Sequence, residues 1–264
     1  MSEKQAETPV DQLILFEECD NYAIITFNRP EKLNALSKPM VRALQERLDE
    51  CRGRYPVIII TARGKAFCAG VDLKERNEWV RKGAKIRGDN VRNKWYDTMG
   101  TIIRNHPSIF IAAVRGLALG GGATLVNICD LAIMAEEAEI GIPQIKWGIY
   151  PGIAGASTQV RVLHKHAAWP ILTGDSLTAA QAVEIGMVNY AVPRERLLDE
   201  AKSLAAHIAR FDGIALDWCK KALDQIPAQF SDWAVALKYG RGVASIIREQ
   251  TGKRDSTRAA HTQS

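Results

Sequence analysis

The chain has 264 residues, 47% hydrophobic and 25% charged, which fits one large domain or two small ones, either able to bury a sizeable core. Its net charge of +5 and pI near 8.9 suit an anionic small ligand as readily as a nucleic acid, yet no DNA- or RNA-reading motif or long like-charge run accompanies them. No apolar run approaches the roughly 20 residues of a membrane span.

The opening MSEKQAETPVDQ is polar and carries acids, unlike a secretory or transit segment. The cysteines (Cys19, Cys51, Cys68, Cys129 and Cys219) lack CxxC or zinc-type spacing. They read as reduced, apolar filler in a cytoplasmic protein, with no metal site.

"QLILFEECDNYAIITFNRP" reads as two short strands around a turn at Asp20 and Asn21. In "SKPMVRALQERLDECRG", Met40, Leu44 and Leu48 fall at helical spacing behind Ser37, a candidate N-cap. "PVIIIT" has the continuous β-branched character of a strand buried on both faces. The glycine-containing turn "ARGKAFCAG" follows, and "VDLKE" starts another helix, with Asp72 read as its cap.

Residues 76–98 are dense in Arg and Lys and broken by Gly83 and Gly88. They read as a solvated surface segment, or alternatively as a flap over an anionic ligand. "SIFIAAVRG" is the next strand, after His106, which is read as part of a capped turn. "GGATLVNICD" reads as a helix and "LAIMAEE" as a strand, while "IGIPQIKWGIYPGIAGAS" is too rich in Gly and Pro for a regular helix. From about Val160 the pattern is helical almost throughout, and His164, His166 and His207 there have no Asp or Ser partner at suggestive spacing. The expected architecture is α/β, divided into a core over 1–195 and a C-terminal helical region over 196–264.

The glycines of "GLALGGGATLVNICD" lie between a strand and a helix. A helix start leaves unbonded N–H groups, and glycine lets another chain or a ligand approach them. Such amides can bind an anion or polarise a carbonyl oxygen, although a tight packing turn explains the glycines equally well. The stretch is neither G-x-G-x-x-G nor a P-loop. A second such turn at 66–72 could supply an amide to the same oxygen.

"NRPEKLNAL" (28–36), "GKAFCAGVDLKE" (64–75), "AAVRGLALGGG" (112–122), "CDLAIMAEEAEIGIPQIKWGIYPG" (129–152) and "LTGDSLTAAQAVEIGMVNYAVP" (172–193) resemble the crotonase superfamily in order and spacing. The likeness runs over roughly 12–255, and enoyl-CoA hydratases and isomerases are the nearest look-alikes; "IKWGIYPG" is similar to hydroxycinnamoyl-CoA hydratase-lyases. The resemblance implies a spiral of ββα units with a helical trimerisation region, assembled as a trimer or hexamer. It implies an acyl-CoA substrate whose thioester carbonyl sits between the backbone amides of Val71 and Gly121, where an enolate develops. Coenzyme A would enter only as part of that substrate, lying along Lys32, Leu33, Asn34, Ala35 and Leu36 and along Lys65, Ala66, Phe67, Ala69 and Gly70. Lys253 or Arg254 would meet its phosphates.

One departure matters. Hydratases of the superfamily carry paired glutamates where this chain has Thr124 and Gln144. Neither side chain titrates near neutral pH, and losing a positioned acid or base costs about 10²–10⁴-fold. Ordinary crotonyl-CoA hydration is therefore disfavoured. The loop 147–154 contains no acid, which leaves Tyr150 as its titrating candidate, with Glu75 a second candidate one helical turn beyond Asp72. Trp79, Trp95 and Tyr96 could shape an acyl pocket or pack on the surface. Other readings are a C–C bond hydrolase, lyase or decarboxylase acting through the same enolate, or a silent homologue that binds acyl-CoA or RNA.

Overall fold

The computed structural model describes residues 8–75, 100, 102–229 and 232–251. The charged segment 76–98, including Trp79, Trp95 and Tyr96, and also Lys253 and Arg254, lies outside them.

Two sheets carry the fold. The larger has the order β1-β2-β3-β5-β7-β10, from Ile14–Glu18, Tyr22–Phe27, Val57–Ala62, Ile109–Val114, Leu131–Ala135 and Tyr190–Val192. β1 runs antiparallel to β2, and every other pairing is parallel. The expected run VIIIT is β3, buried at every position as a central parallel strand must be when both faces are covered. The smaller sheet has the order β4-β6-β8-β9, from Ala66–Cys68, Leu117–Leu119, Glu139–Gly141 and Ser176–Thr178. Phe27 of β2 and Phe67 of β4 meet at 5.7 Å between centroids, their planes tilted by 44°, and join the sheets.

Helix α1, Lys38–Cys51, is capped by the Ser37 hydroxyl, which accepts from Met40 N at 3.4 Å, and it buries Met40, Leu44 and Leu48 as their spacing predicts. Helix α2, Gly121–Ile128, packs against strands of both sheets and is buried at nearly every position. Short helices α3 (Ala154–Gln159), α4 (His164–Thr173) and α5 (Ala179–Glu184) precede α6 (Leu197–Ile208), which covers β3, β5 and β7. Helix α7, Gly213–Gln229, packs on β5, and α8, Trp233–Thr251, packs on α7.

The smaller sheet departs from the sequence reading. Residues 66–68 belong to β4 instead of a turn, and β9 and β10 interrupt a region expected to be helical almost throughout. Strands of three residues show no alternation to read; their partners, far away in sequence, define them. The 140–157 stretch is a loop with one 3-10 turn at Pro143–Trp147, no regular helix running through it, as its Gly and Pro content implies; the end of β8 and the start of α3 bound it.

A buried ion pair fixes the C-terminal helices to this core. Lys220 of α7, 3% exposed, reaches Asp130 at 3.0 Å and donates to the carbonyls of Ser108 (2.8 Å) and Ile103 (3.1 Å). Asp130 also accepts from Phe110 N at 2.8 Å. No helix among the described residues is long and apolar enough to cross a membrane.

Candidate functional site

Two loops converge at the C-terminal ends of β2 and β4. Asn34, wholly buried and left-handed at φ 55°, ties them together. Its Nδ2 donates to the carbonyls of Arg63 and Ala66, both at 2.8 Å, and its Oδ1 accepts from Arg29 N at 2.8 Å. Asn tolerates this backbone region better than most residues. Its pinning role escaped the sequence reading, which placed it only among coenzyme contacts.

The loops then pair as a short parallel ladder. Ala69 N donates to Leu33 O at 3.0 Å, Leu36 N to Gly70 O at 2.7 Å, and Asp72 N to Leu36 O at 3.0 Å. Leu36 thus bonds to the residues on either side of Val71. In such a bridge the N–H of the middle residue, Val71, faces the opposite edge.

That edge is where the glycines lie. A Cβ on Gly121 would stand 3.3 Å from Gly70 Cα and 3.6 Å from Gly70 C, the carbon bonded to Val71 N. Gly121 is also the first residue of α2, so its N–H has no acceptor within the helix. Gly122 is needed for close approach: a Cβ there would lie 2.0 Å from Cys68 O. Gly120 adopts φ 53°, ψ −106°, which an L side chain rarely does. The turn is therefore a packing device that brings Gly121 against Gly70, the residue before Val71.

Asp72 caps the helix start at 73, as expected, accepting from Lys74 N at 2.9 Å and Glu75 N at 3.3 Å. Its other oxygen meets Arg29 at 2.7 Å. Burial pushes the Asp72 carboxyl up, but the Arg29 hydrogen bond, the two amides and the Arg29 charge outweigh it and hold the pKa below the ordinary carboxylate value. Glu75 accepts from Lys38 N at 3.1 Å. Its carboxylate serves the first turn of α1, which gives this acid candidate a structural partner.

Thr124, buried in the first turn of α2, donates its hydroxyl to Gly120 O at 3.2 Å. Gln144, in the 3-10 turn after β8, lays its amide on Gly120, whose Cβ would come 2.8 Å from Gln144 Nε2 and 3.9 Å from Oε1. The structure thus gathers Thr124 and Gln144 around one glycine, next to Gly121. The buried Oε1 of Gln144 has no hydrogen-bond partner.

The remaining candidates fall elsewhere. Tyr150, the titrating candidate of the loop, is 60% exposed and accepts from Gln159 Nε2 at 2.8 Å, a surface contact with α3. Lys32, Leu33 and Lys65 are exposed along the paired loops, with Ala35 and Ala69 half-buried. Leu36, Ala66, Phe67 and Gly70 are buried, so a ligand there would meet backbone. Cys68 lies against Gly70 N, its thiol pushed up to about 12 by burial, consistent with filler. His106 is buried between Leu48 O (2.9 Å) and Ser108 N (3.1 Å), a structural histidine. No cluster of metal-ligating side chains occurs among the described residues.

Residues 17–235 match the family model described as enoyl-CoA hydratase/isomerase. The chain belongs to this family. Its spiral core places it in the crotonase superfamily, as the motifs implied. A probable mitochondrial enoyl-CoA hydratase of Dictyostelium discoideum is 36% identical over 79% of this chain and 74% of its own length. The hydroxycinnamoyl-CoA hydratase-lyase of Pseudomonas fluorescens is 33% identical, covering 75% and 72% of the two chains. An enoyl-CoA hydratase structure from Bacillus anthracis superposes with a TM-score of 0.78 at 31% identity, over 89% of this chain and 90% of that one.

Proposed function

We propose that this family member transforms an acyl-CoA by holding its thioester oxygen between the N–H groups of Val71 and Gly121 and stabilising the enolate that develops there. The observation that carries this reading is the contact of Gly121 with Gly70 beside the Leu36–Val71 bridge. Preformed donors need no reorganisation as charge builds, and each is worth about 3–4 kcal/mol to the transition state. Coenzyme A enters as part of the substrate, along 32–36 and 65–70, and no other cofactor takes part.

Thr124 and Gln144 are neutral hydrogen-bonding groups in place of a carboxylate pair, so ordinary crotonyl-CoA hydration is disfavoured and the substrate is a non-standard thioester. A second reading, carbon–carbon cleavage through the same enolate, is favoured by the hydratase-lyase relative. We place the enzyme in the cytoplasm as a homotrimer or hexamer. Exposed Trp147, Leu163, Trp169 and Leu172 support self-association.

The test is mass spectrometry of crotonyl-, longer enoyl-, branched, cyclic β-oxo and cinnamoyl-type CoA thioesters incubated with the protein and with Gly121→Pro. Proline is tolerated at the first helical position but removes the N–H. Conversion by the wild type and none by a folded Gly121→Pro protein is the expected result. Equal conversion by both overturns the amide assignment. Tight acyl-CoA binding without product would make the protein a binding homologue.

A further inference from the structure

The two amides proposed for the thioester oxygen rest on separate supports. Val71 belongs to the ladder with Leu36, behind which Arg29 meets Asp72. Gly121 belongs to α2, a helix of 8 residues and so about 12 Å long. A rod that short moves as one body, so a shift at its tail displaces the Gly121 N–H relative to Val71. Gly122 against Cys68 O stops α2 from coming closer to β4, but a steric stop fixes neither slide nor tilt.

The tail of α2 is bonded to its surroundings on two sides. Asn127, in the last turn, donates from Nδ2 to Ser157 Oγ at 3.2 Å and to Thr158 Oγ1 at 2.9 Å, both on α3. Its carbonyl, which lies too near the helix end for a donor within α2, accepts from Arg161 Nε at 2.9 Å. The outer end of the same guanidinium reaches α7. Arg161 Nη2 donates to Asp224 Oδ1 at 3.4 Å, and Arg104 lies 2.8 Å from that oxygen. Asp224 shares a face of α7 with Lys220, which meets Asp130 just past the end of α2. Arg161 therefore bridges the helix that carries Gly121 directly to the C-terminal helices.

We infer that Arg161 is a positioning residue: by locking the tail of α2 to α7 it sets where the Gly121 N–H stands beside Val71. This rests on the proposed placement of the thioester oxygen between those two amides. Two donors stabilise charge on one oxygen only when both hydrogens point at it, and a misplacement of about 1 Å arising far from the chemistry can cost on the order of 100-fold. A neutral carbonyl gains less from the same donors, so a loosened α2 weakens an enolate more than a saturated thioester.

The experiment compares butyryl-CoA with acetoacetyl-CoA, a β-oxoacyl thioester that ionises to its own enolate and then absorbs in the near ultraviolet. Absorbance of the bound ligand is followed across pH, and both affinities are measured by calorimetry, for the wild type, Arg161→Met, Arg161→Lys and Asp224→Asn. Methionine removes both bonds of the guanidinium, and lysine restores a charged donor without the fork. The wild type should ionise bound acetoacetyl-CoA at a lower pH than the free ligand. In Arg161→Met that pH should rise by about one unit, with binding of the ionised form weakened about tenfold and butyryl-CoA affinity held within about threefold. Arg161→Lys should recover part of the shift. Asp224→Asn, which releases the outer end of Arg161, should give a smaller shift in the same direction, and it decides the matter by the same readings if Arg161→Met does not fold. Ionisation unmoved from the wild type in the folded variants overturns the positioning role while leaving the acyl-CoA reading intact. Equal weakening of both thioesters makes Arg161 a support of the fold alone and overturns it too. A wild type that leaves the ionisation of bound acetoacetyl-CoA unshifted, or that binds neither thioester, defeats the proposed function and the inference with it.

Discussion

Arg29 and Asp72 meet at 2.7 Å behind the bridge between Leu36 and Val71, and the same guanidinium nitrogen donates to Ala35 O at 3.1 Å. Both side chains are mostly buried, at 14% and 10% exposure. The pair fixes the two loops that carry the proposed amide of Val71. Breaking it by removing one partner leaves a buried charge unpaired and also strips a helix cap. Asp72→Ala should therefore destabilise by about 3 kcal/mol in urea unfolding, with Asp72→Asn closer to the wild type. Because the folded pKa of Asp72 is depressed, its contribution is present above the ordinary carboxylate range and is lost as pH falls through the folded value. The Asp72→Ala protein should accordingly lose less stability than the wild type on acidification below pH ~4.

Gly122 faces Cys68 O with no room for a methyl group: a Cβ would sit 2.0 Å from that oxygen. Since the obstacle is backbone, relief requires β4 to separate from α2. Gly122→Ala should cost about 3 kcal/mol or more, at the upper end of overpacking effects. Gly121→Ala meets its nearest neighbours at 3.3 Å and 3.4 Å and should cost markedly less. Thermal unfolding of the two variants side by side checks this, and equal melting temperatures would refute the close-approach argument.

His106 is neutral in the fold. Burial pushes its pKa down to about 4, overcoming the bond to Leu48. Nδ1 accepts from Ser108 N, so Nε2 carries the proton given to Leu48 O. An unfolded histidine binds its proton near pH 6.5, so between about 6.5 and 4 the unfolded state holds more protons and stability rises with pH. The full contribution, on the order of 3 kcal/mol, is present above pH ~6.5 and lost towards pH ~4. In His106→Gln the slope of unfolding free energy over this window should be shallower. An unchanged slope would assign the effect to other groups.

These features show what the sequence could carry and what it could not. Ser37, Met40, Leu44 and the run PVIIIT over 56–61 were legible because cap chemistry and periodicity are local. The family was legible from five blocks in register. The small sheet was not, since three-residue strands such as β9 acquire meaning only from β8, far away in sequence. Asn34 was visible as a motif residue, yet its three hydrogen bonds span 5 to 32 positions. The exposure of Tyr150 and the capping bond from Glu75 to α1 likewise follow from packing that no spacing encodes.

Lys220 and Asp130 form the buried pair that anchors α7. Lys220→Met removes the ammonium, which lies 4.8 Å from the Phe110 ring centroid, and leaves Asp130 and the carbonyls of Ser108 and Ile103 without that donor. A loss of about 3–5 kcal/mol is expected. The double variant Lys220→Met with Asp130→Asn should recover part of it, because the uncompensated carboxylate is gone. A double variant that is less stable by the full sum of the singles would show the two residues to act independently.

Thr124 and Gln144 give the sharpest catalytic prediction. If these positions are those of the superfamily's acid and base, installing carboxylates should create the activity their absence disfavours. Thr124→Glu with Gln144→Glu should raise crotonyl-CoA hydration by about 10²–10⁴-fold over the wild type, the usual worth of positioned proton transfer. The gain should follow a titration in pH, because two carboxylates beside each other in a desolvated turn cannot ionise at the same pH. The wild type, whose side chains at these two positions do not titrate, should show no such limb on whatever thioester it converts. Initial rates across pH 5–9, with circular dichroism to establish folding, decide the matter. A folded double variant with no gain in hydration would show that the water and the thioester are not held between these two positions in this chain.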